Sequence, residues 1–313
     1  MVFCKSCNIL KILSKKECSN AACSDLDPPI YLSRTRMKID HNTVAVVTGA
    51  ASGIGRALAI RLAAEGAQLA ISDVNQNGLE ETAQLALKQA TNPGVKISTH
   101  VVDVSDRERM QEFVQEVLAE HRRAHLVINN AGVGLGGTTE ELAIEDYEWL
   151  LGINLWGVIY GTKLFLPILR QQPRGHIVNI SSVFGIIAPP GHSAYATSKF
   201  AVRGFTESLR HELKDSSITI TSVHPGGIRT NIARNARVGA GVDTSVVERE
   251  IQFFDKVAKT LPETAADVIV RGVLNDKEKV LIGSDAWLID KIQRLMPIRY
   301  WNLLGKMLEK MAQ

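Results

Sequence analysis

Short apolar runs recur along the chain, and the longer stretches between them place apolar residues every three or four positions. Val44-Ala45-Val46-Val47 is the first such run. It is mostly β-branched and unbroken, as a strand buried on both faces of a parallel sheet requires. Similar runs predict strands at 44–48, 68–72, 96–102, 125–129, 175–181, 218–223 and 279–282. The helical period predicts helices at 53–65, 75–90, 105–122, 143–170, 194–214 and 263–275. Strands alternating with helices are the pattern of an α/β protein built on a parallel sheet. No internal repeat or low-complexity tract interrupts that pattern.

Between the first strand and the first helix lies Thr48-Gly49-Ala50-Ala51-Ser52-Gly53-Ile54-Gly55. Strand, glycine turn and helix together make a phosphate cradle. The helix start offers unpaired N–H groups and a positive dipole end, and glycines let the backbone approach a pyrophosphate closely. The spacing is Gly-xxx-Gly-x-Gly, not the Gly-x-Gly-xx-Gly of the common dinucleotide fingerprint. The second strand ends at Asp73, eighteen residues after Gly55. A carboxylate there can accept hydrogen bonds from ribose hydroxyls and would repel a 2′-phosphate. Ser52 rather than a cation precedes Gly53, so the reading favours NAD over NADP. Asp73 also reads as a helix N-cap or turn residue.

Tyr195 and Lys199 stand four residues apart in Tyr195-Ala196-Thr197-Ser198-Lys199, with Ser182 thirteen positions before the tyrosine. On a helix that spacing puts both side chains on one face. A free tyrosine titrates at about 10. A neighbouring ammonium favours phenolate and is expected to lower that value toward the range of an acid/base catalyst. Ser182 can hydrogen-bond the same substrate oxygen, and Ser181 beside it competes for that role. Taken alone, Tyr-xxx-Lys is an ordinary exposed helical pair.

Together with Asn129-Asn130-Ala131-Gly132 and Pro225-Gly226, these motifs resemble the short-chain dehydrogenase/reductase family in order and spacing, over roughly residues 38–283. The resemblance implies a single doubly wound α/β domain of the Rossmann type, with a mostly parallel sheet, helices on both faces and a bound nicotinamide cofactor. It implies catalytic roles for Asn154, Ser182, Tyr195 and Lys199, with Asn154 steadying a water beside the lysine. It brings Gly49, Ser52, Gly53, Ile54, Gly55 and Asp73 to the cofactor. Asp103 and Val104 fall where the family contacts adenine, and Asn130, Ala131 and Gly132 along the adenosine side. Tyr195, Lys199, Pro225, Gly226, Ile228 and Thr230 complete that set, with Lys199 also reaching the ribose hydroxyls and Thr230 where the nicotinamide carboxamide is held. Ser182 and Tyr195 are also the expected substrate contacts.

The implied activity is hydride transfer between a hydrophobic secondary alcohol and its ketone. The lid from Gly226 to about Thr260 mixes Val238, Val246, Val247, Ile251, Phe253 and Phe254 with arginines, and Val183, Phe184, Ile186, Ile187 and Pro189 follow the serine. These read either as an apolar substrate pocket or as packing of the lid itself. His192 reads as a surface loop residue or a substrate contact. An epimerase or dehydratase on a related fold is an alternative, and so is a non-catalytic nucleotide sensor.

Composition narrows the partners. Net charge is +3 over 313 residues, and the first 36 residues hold six basic against three acidic side chains. The remainder is formally neutral, which argues against a nucleic-acid surface. All four cysteines, Cys4, Cys7, Cys18 and Cys23, lie in that leader, so the body is not disulfide-built and suits the cytoplasm. Ten residues between the cysteine pairs and no nearby histidine argue against zinc, and no metal is expected. Residues 1–36 read as a disordered basic leader, or as untranslated if Met37 is the true start. Neither a secretory signal nor a mitochondrial leader is well matched.

Leu151 to Leu169 is apolar enough to be flagged as membrane-spanning, but it holds Asn154 and Lys163. A buried helix at a subunit interface is expected, in a homodimer or homotetramer. After Asp285, residues 287–296 and 300–308 read as two basic amphipathic helices. They fold over the substrate pocket, meet a neighbouring subunit, or touch a membrane peripherally.

Overall fold

The computed structural model describes residues 36–239 and 241–312. The cysteine-containing leader, with its zinc and leader-peptide readings, falls outside the described residues apart from Arg36. In chain order the elements are β1 Val44–Thr48, α1 Gly53–Ala64, β2 Gln68–Asp73, α2 Gln76–Gln89, β3 Ile97–Val101, α3 Arg107–His121 and β4 Leu126–Asn129. Then come β5 Leu135–Gly136, α4 Ile144–Leu151, a π-helical turn Gly152–Trp156, α5 Gly157–Leu169, β6 Gly175–Ile180 and a 3₁₀ turn Val183–Gly185. The remainder is α6 Ser193–Glu212, β7 Ile218–Pro225, β8 Arg237–Val238, α7 Thr244–Val257, α8 Pro262–Leu274, β9 Lys279–Ile282, α9 Ser284–Leu295 and α10 Tyr300–Ala312.

Seven strands form one sheet in the order β3-β2-β1-β4-β6-β7-β9, and every neighbouring pair is parallel. In the central strands β1, β4 and β6 every residue is buried, because both faces are covered, whereas the edge strand β3 is largely half-exposed. Ala45, Val47, Ile128 and Val178 pack against Leu58 and Leu62 of α1, with Ile269 and Val273 of α8, on one face. Val46, Val127, Ile177 and Ile220 face the opposite way, toward Phe113 of α3 and Phe165 and Leu169 of α5. The fold is doubly wound. Strand order reverses between β1 and β4, and in such sheets the ligand crevice opens at the carboxyl ends of the strands there.

One expected helix, 143–170, is divided. A π-helical turn separates α4 from α5 and carries the buried Asn154. Such local widening of a helix is frequent at functional sites. The span Ile144–Leu169 is long and apolar enough to cross a membrane by length and composition, but Val158, Thr162, Phe165 and Leu169 are buried in the protein. Across this layer runs a polar rail. Asn129 Nδ2 donates to Thr162 Oγ1 (3.1 Å) and to Asn179 Oδ1 (2.8 Å), and Asn179 Nδ2 donates to Thr206 Oγ1 (3.0 Å). These bonds tie α5, β4, β6 and α6 in one register.

The core also holds neutral histidines. His176 is fully buried against Thr221 Oγ1 (2.7 Å), and burial pushes its ring down to about 3. Burial likewise pushes His121 and His224 down to about 4. Each folded value lies below the ordinary 6.5, so the unfolded chain takes up protons first. The stability tied to the neutral rings is intact above about pH 6.5 and falls as pH drops toward 4, by up to about 1.4 kcal/mol per pH unit for each ring. Thermal melts are therefore expected to shift downward between about pH 6.5 and 5, above the range of the ordinary carboxylates. His176→Gln should flatten that slope. Midpoints independent of pH in this window would contradict the assignment.

Candidate active site

Two turns are clamped together at the point where the strand order reverses. Thr48 Oγ1 accepts from the backbone N–H groups of Asn130 and Ala131 (both 3.1 Å). In return, Asn130 Nδ2 donates to the carbonyls of Thr48 (2.9 Å) and Gly49 (3.0 Å). Gly49 has φ +67°, and a Cβ there would stand 2.6 Å from Ala131 Cα, so no larger residue fits. A Cβ on Gly55 would fall on the Gly49 carbonyl oxygen. The Ser52 side chain caps no N–H of α1, and the first turn of α1 holds no acid. The positive end of the helix is thus left to an outside anion, which fits a pyrophosphate.

Asp73 ends β2 beside this turn. Its carboxylate accepts from Ala51 N (3.0 Å) and Asn75 N (3.1 Å), so it braces the glycine turn as well as lining it. The nearby cation, Arg56, is held by the Ala51 carbonyl (2.6 Å) and Glu81 (2.7 Å). Asp103 accepts from both Ser105 N and Ser105 Oγ, while Val104 is buried against Gly157. Across the turn, the Thr230 methyl lies 3.2 Å from where a Cβ on Gly53 would be. Pro225 ends β7 opposite Ile282, Gly226 N donates to the Ile282 carbonyl (2.9 Å), and Ile228 is buried and bridged to Thr260.

At the end of β6 the backbone turns, and α6 returns along it. Ser182 hydrogen-bonds the Tyr195 phenol, and Lys199 Nζ lies 5.6 Å from the centre of the Tyr195 ring. Lys199 is only 4% exposed, and its Nζ donates to the Ile180 carbonyl (3.3 Å). Ser181, the competing serine, is buried and donates to the Lys199 carbonyl (2.8 Å), so Ser182 is the one facing the phenol. Asn154 Oδ1 accepts from Val133 N (2.9 Å), and its Nδ2 donates to the Val133 carbonyl (3.0 Å) and Ser198 Oγ (3.3 Å). Gly132 closes the group, because a Cβ there would sit 3.2 Å from Asn154 Oδ1 and 3.4 Å from Lys199 Nζ.

One electrostatic expectation is reversed. The phenol is not lowered by its lysine; burial pushes it up to about 12, opposed by the Ser182 hydrogen bond. Burial pushes the Lys199 amine down to about 8. Desolvation penalises phenolate and ammonium alike, so it moves an acid and a base in opposite directions. The i, i+4 spacing brought the pair together but carried no information about how deeply it is buried.

Three supporting residues were not foreseen. Asp285 Oδ2, in the first turn of α9, accepts from Gly227 N (2.7 Å) and so holds the loop after Pro225. His224 Nδ1 lies 3.0 Å from the Ser182 carbonyl oxygen and its Nε2 lies 2.9 Å from Ser222 Oγ, buried behind the serine. Tyr300 Oη accepts from Ala188 N (3.1 Å), linking α10 to the loop after Ser182. The sequence signals for these were His224, which directly precedes Pro225-Gly226, and the amphipathic helix at 300–308, which carries Tyr300.

The apolar loop after Ser182 is split in its use. Ile186 and Ile187 bury against Leu304, Ile289 and Trp301 of the last two helices. Phe184 instead turns its ring toward Tyr195 (6.0 Å) and His192 (5.1 Å). Burial lowers the His192 ring, opposed by Glu250 of α7. The lid helix therefore lies beside the residues that precede Tyr195. Along it, Val247, Ile251 and Phe254 are half-buried, and no α7 residue with a described side chain is fully buried.

With this geometry in hand, known proteins give a concordant picture. The short chain dehydrogenase family matches residues 43–241. SadH of Mycobacterium tuberculosis is 44% identical over 265 residues, covering 84% of this chain and 94% of its own length. The 3-oxoacyl-[acyl-carrier-protein] reductase FabG of Thermotoga maritima is 32% identical over 249 residues, covering 79% of this chain and 97% of its own. A solved short chain dehydrogenase/reductase from Burkholderia phymatum, in complex with NAD, superposes with a TM-score of 0.74 at 27% identity over 82% of this chain and 94% of that one. The chain belongs to the short chain dehydrogenase family and is an oxidoreductase of that family.

Proposed function

We propose that the enzyme interconverts a hydrophobic secondary alcohol and its ketone, with NAD as cofactor, and that Ser182, Tyr195, Lys199 and Asn154 carry the reaction. The observation behind this is the cluster of half-buried Ser182 and Tyr195 over the buried Lys199, set beside a glycine turn whose helix start is left open to an anion. The nicotinamide cofactor supplies the hydride acceptor or donor. Glycines 49, 53 and 55, with Ser52 and Ile54, would hold its pyrophosphate; Asp73 would hold the adenosine ribose hydroxyls. Asp103, Val104, Asn130, Ala131 and Gly132 would flank the adenosine; Tyr195, Lys199, Pro225, Gly226, Ile228 and Thr230 would serve the nicotinamide end.

In reduction, Tyr195 Oη gives its proton to the carbonyl oxygen as the C–H bond forms. In oxidation, the phenolate takes the hydroxyl proton. Ser182 hydrogen-bonds that oxygen throughout, and the contact strengthens as negative charge develops. Lys199 adds positive charge beneath the phenol when protonated, and Asn154 orients the backbone at Val133 and the Ser198 hydroxyl around it. A phenol at about 12 is protonated at neutral pH, so the site rests as an acid. Phe184 and the half-buried stripe of α7 support an apolar substrate. The reductase FabG, by name a 3-oxoacyl-[acyl-carrier-protein] reductase, is consistent with a ketone on an acyl chain.

Tyr195→Phe is expected to lower kcat by about 10²- to 10⁴-fold, and Ser182→Ala by about 10²- to 10³-fold with NAD affinity nearly unchanged. Alcohol oxidation by the native enzyme should accelerate with rising alkaline pH, because only phenolate accepts a proton; reduction should not. Full activity in Tyr195→Phe, read from reduced-nicotinamide absorbance over a panel of hydrophobic alcohols, would overturn the mechanism and favour a nucleotide sensor.

Asp73→Asn keeps an acceptor for Ala51 N but removes the charge. NAD should lose about tenfold of its advantage over NADP in kcat/KM. An unchanged ratio would move cofactor choice elsewhere. Asp285→Ala leaves Gly227 N without its carboxylate, and a hydrogen bond to a charged group contributes about 1.5–3 kcal/mol. The KM for NAD is expected to rise about tenfold or more, and Asp285→Asn should recover most of the loss. Equal KM values for native and Ala forms would show that the loop holds without Asp285.

A further inference from the structure

The last two helices bury one side against the loop after Ser182 and leave the other side apolar and bare. Trp287, Leu288, Leu295, Ile298, Leu303 and Met307 are all exposed, Leu295 at 81% and Ile298 at 91%. Positions 287, 288, 291 and 295 share one stripe of α9, and 303 and 307 share one stripe of α10. Isolated exposed apolar residues are ordinary, but a run of six on two adjoining helices and their corner is not.

Among the described side chains of these two helices and their corner, the exposed charges have one sign. Lys291 lies 5.0 Å from the centre of the Trp287 ring, and Arg294, Arg299 and Lys306 are exposed nearby. Both acids between residues 284 and 307 turn inward: Asp285 to Gly227 N, and Asp290 to Lys279 (2.5 Å) and Arg294 (3.0 Å). We propose that this face docks the enzyme on an anionic lipid bilayer, with the corner at Leu295 and Ile298 entering deepest. Apolar and aromatic side chains rimmed by Lys and Arg suit the headgroup boundary. A symmetric pairing of two copies through the same face would set cations against cations, with only the Asp290 partner of Arg294 to offset them, which is repulsive. The docked surface adjoins the site, since Tyr300 holds Ala188 and Leu304 packs on Ile186 and Ile187. Membrane contact would bring the Phe184 loop close to lipid-dissolved substrates.

The test uses the full chain with phosphatidylcholine vesicles, with and without phosphatidylglycerol, and needs no turnover. It therefore stands or fails independently of the proposed reaction. The chain should co-sediment with anionic vesicles, bind neutral ones about tenfold less, and dissociate as salt rises. The double variant Leu295→Glu, Ile298→Glu should lose about tenfold or more in binding while its melting temperature stays native, because both positions are outside the packed core. Three results would overturn the proposal: no co-sedimentation of the native chain, equal binding to both vesicle types, or undiminished binding by the double variant. Native oligomers that the double variant splits, without vesicle binding, would make this face a subunit interface instead.

Discussion

The burial of one amine shapes much of this molecule. Lys199 lies at the floor of the crevice with almost no exposure, and an uncompensated ammonium in that position is strongly disfavoured. Several features accommodate it. The Ile180 carbonyl accepts from Nζ, Ser181 latches the helix backbone at the Lys199 carbonyl, and Gly132 leaves room for the amine. The π-helical turn brings Asn154 inward to brace Val133 and Ser198 on the other side. The same desolvation that brings the amine down to about 8 drives the neighbouring phenol up to about 12. In this state the pair therefore stores a proton on tyrosine. Positive charge arriving above the phenol would draw its value back down, since an opposite charge at close range favours phenolate.

The crevice has three walls of different origin. Two are the clamped turns after β1 and β4, joined by Thr48 and Asn130. The third is the segment after β7, and it is held from outside the sheet by Asp285 of α9. The following helix, α10, reaches the loop after Ser182 through Tyr300 and Leu304. The two last helices thus touch both the segment after β7 and the loop after Ser182. His224 adds a buried link from β7 to the carbonyl of Ser182, so the serine is fixed from behind as well as by its own strand.

The strands were legible almost to the residue because a parallel strand covered on both faces is a local apolar run. The half-exposed edge strand β3, Ile97–Val101, is the exception, marked by its β-branched residues rather than by an apolar run. The two-residue strands β5 and β8 escaped, since Leu135–Gly136 and Arg237–Val238 carry no periodicity. The lid helix α7 lay inside a segment read only as a lid. For the site, Tyr195 and Lys199 could be paired from helical spacing alone, and the glycine turn from its place between strand and helix. Asn154, Asp103, Val104 and Thr230 came only through family likeness, because nothing in their own neighbourhoods marks them.

The chain by itself determined the alternation of strand and helix, the phosphate-sized turn after β1 and the one-turn spacing of tyrosine and lysine, all set by steric and periodic rules acting over a few residues. Tertiary structure decided the rest. Asp285 meets Gly227 across 58 residues, and Asn129 meets Asn179 across 50. Whether a phenol rises or falls depends on how much water the whole fold removes from it. Burial and long-range contact belong to the packed chain, and no window of sequence contains them.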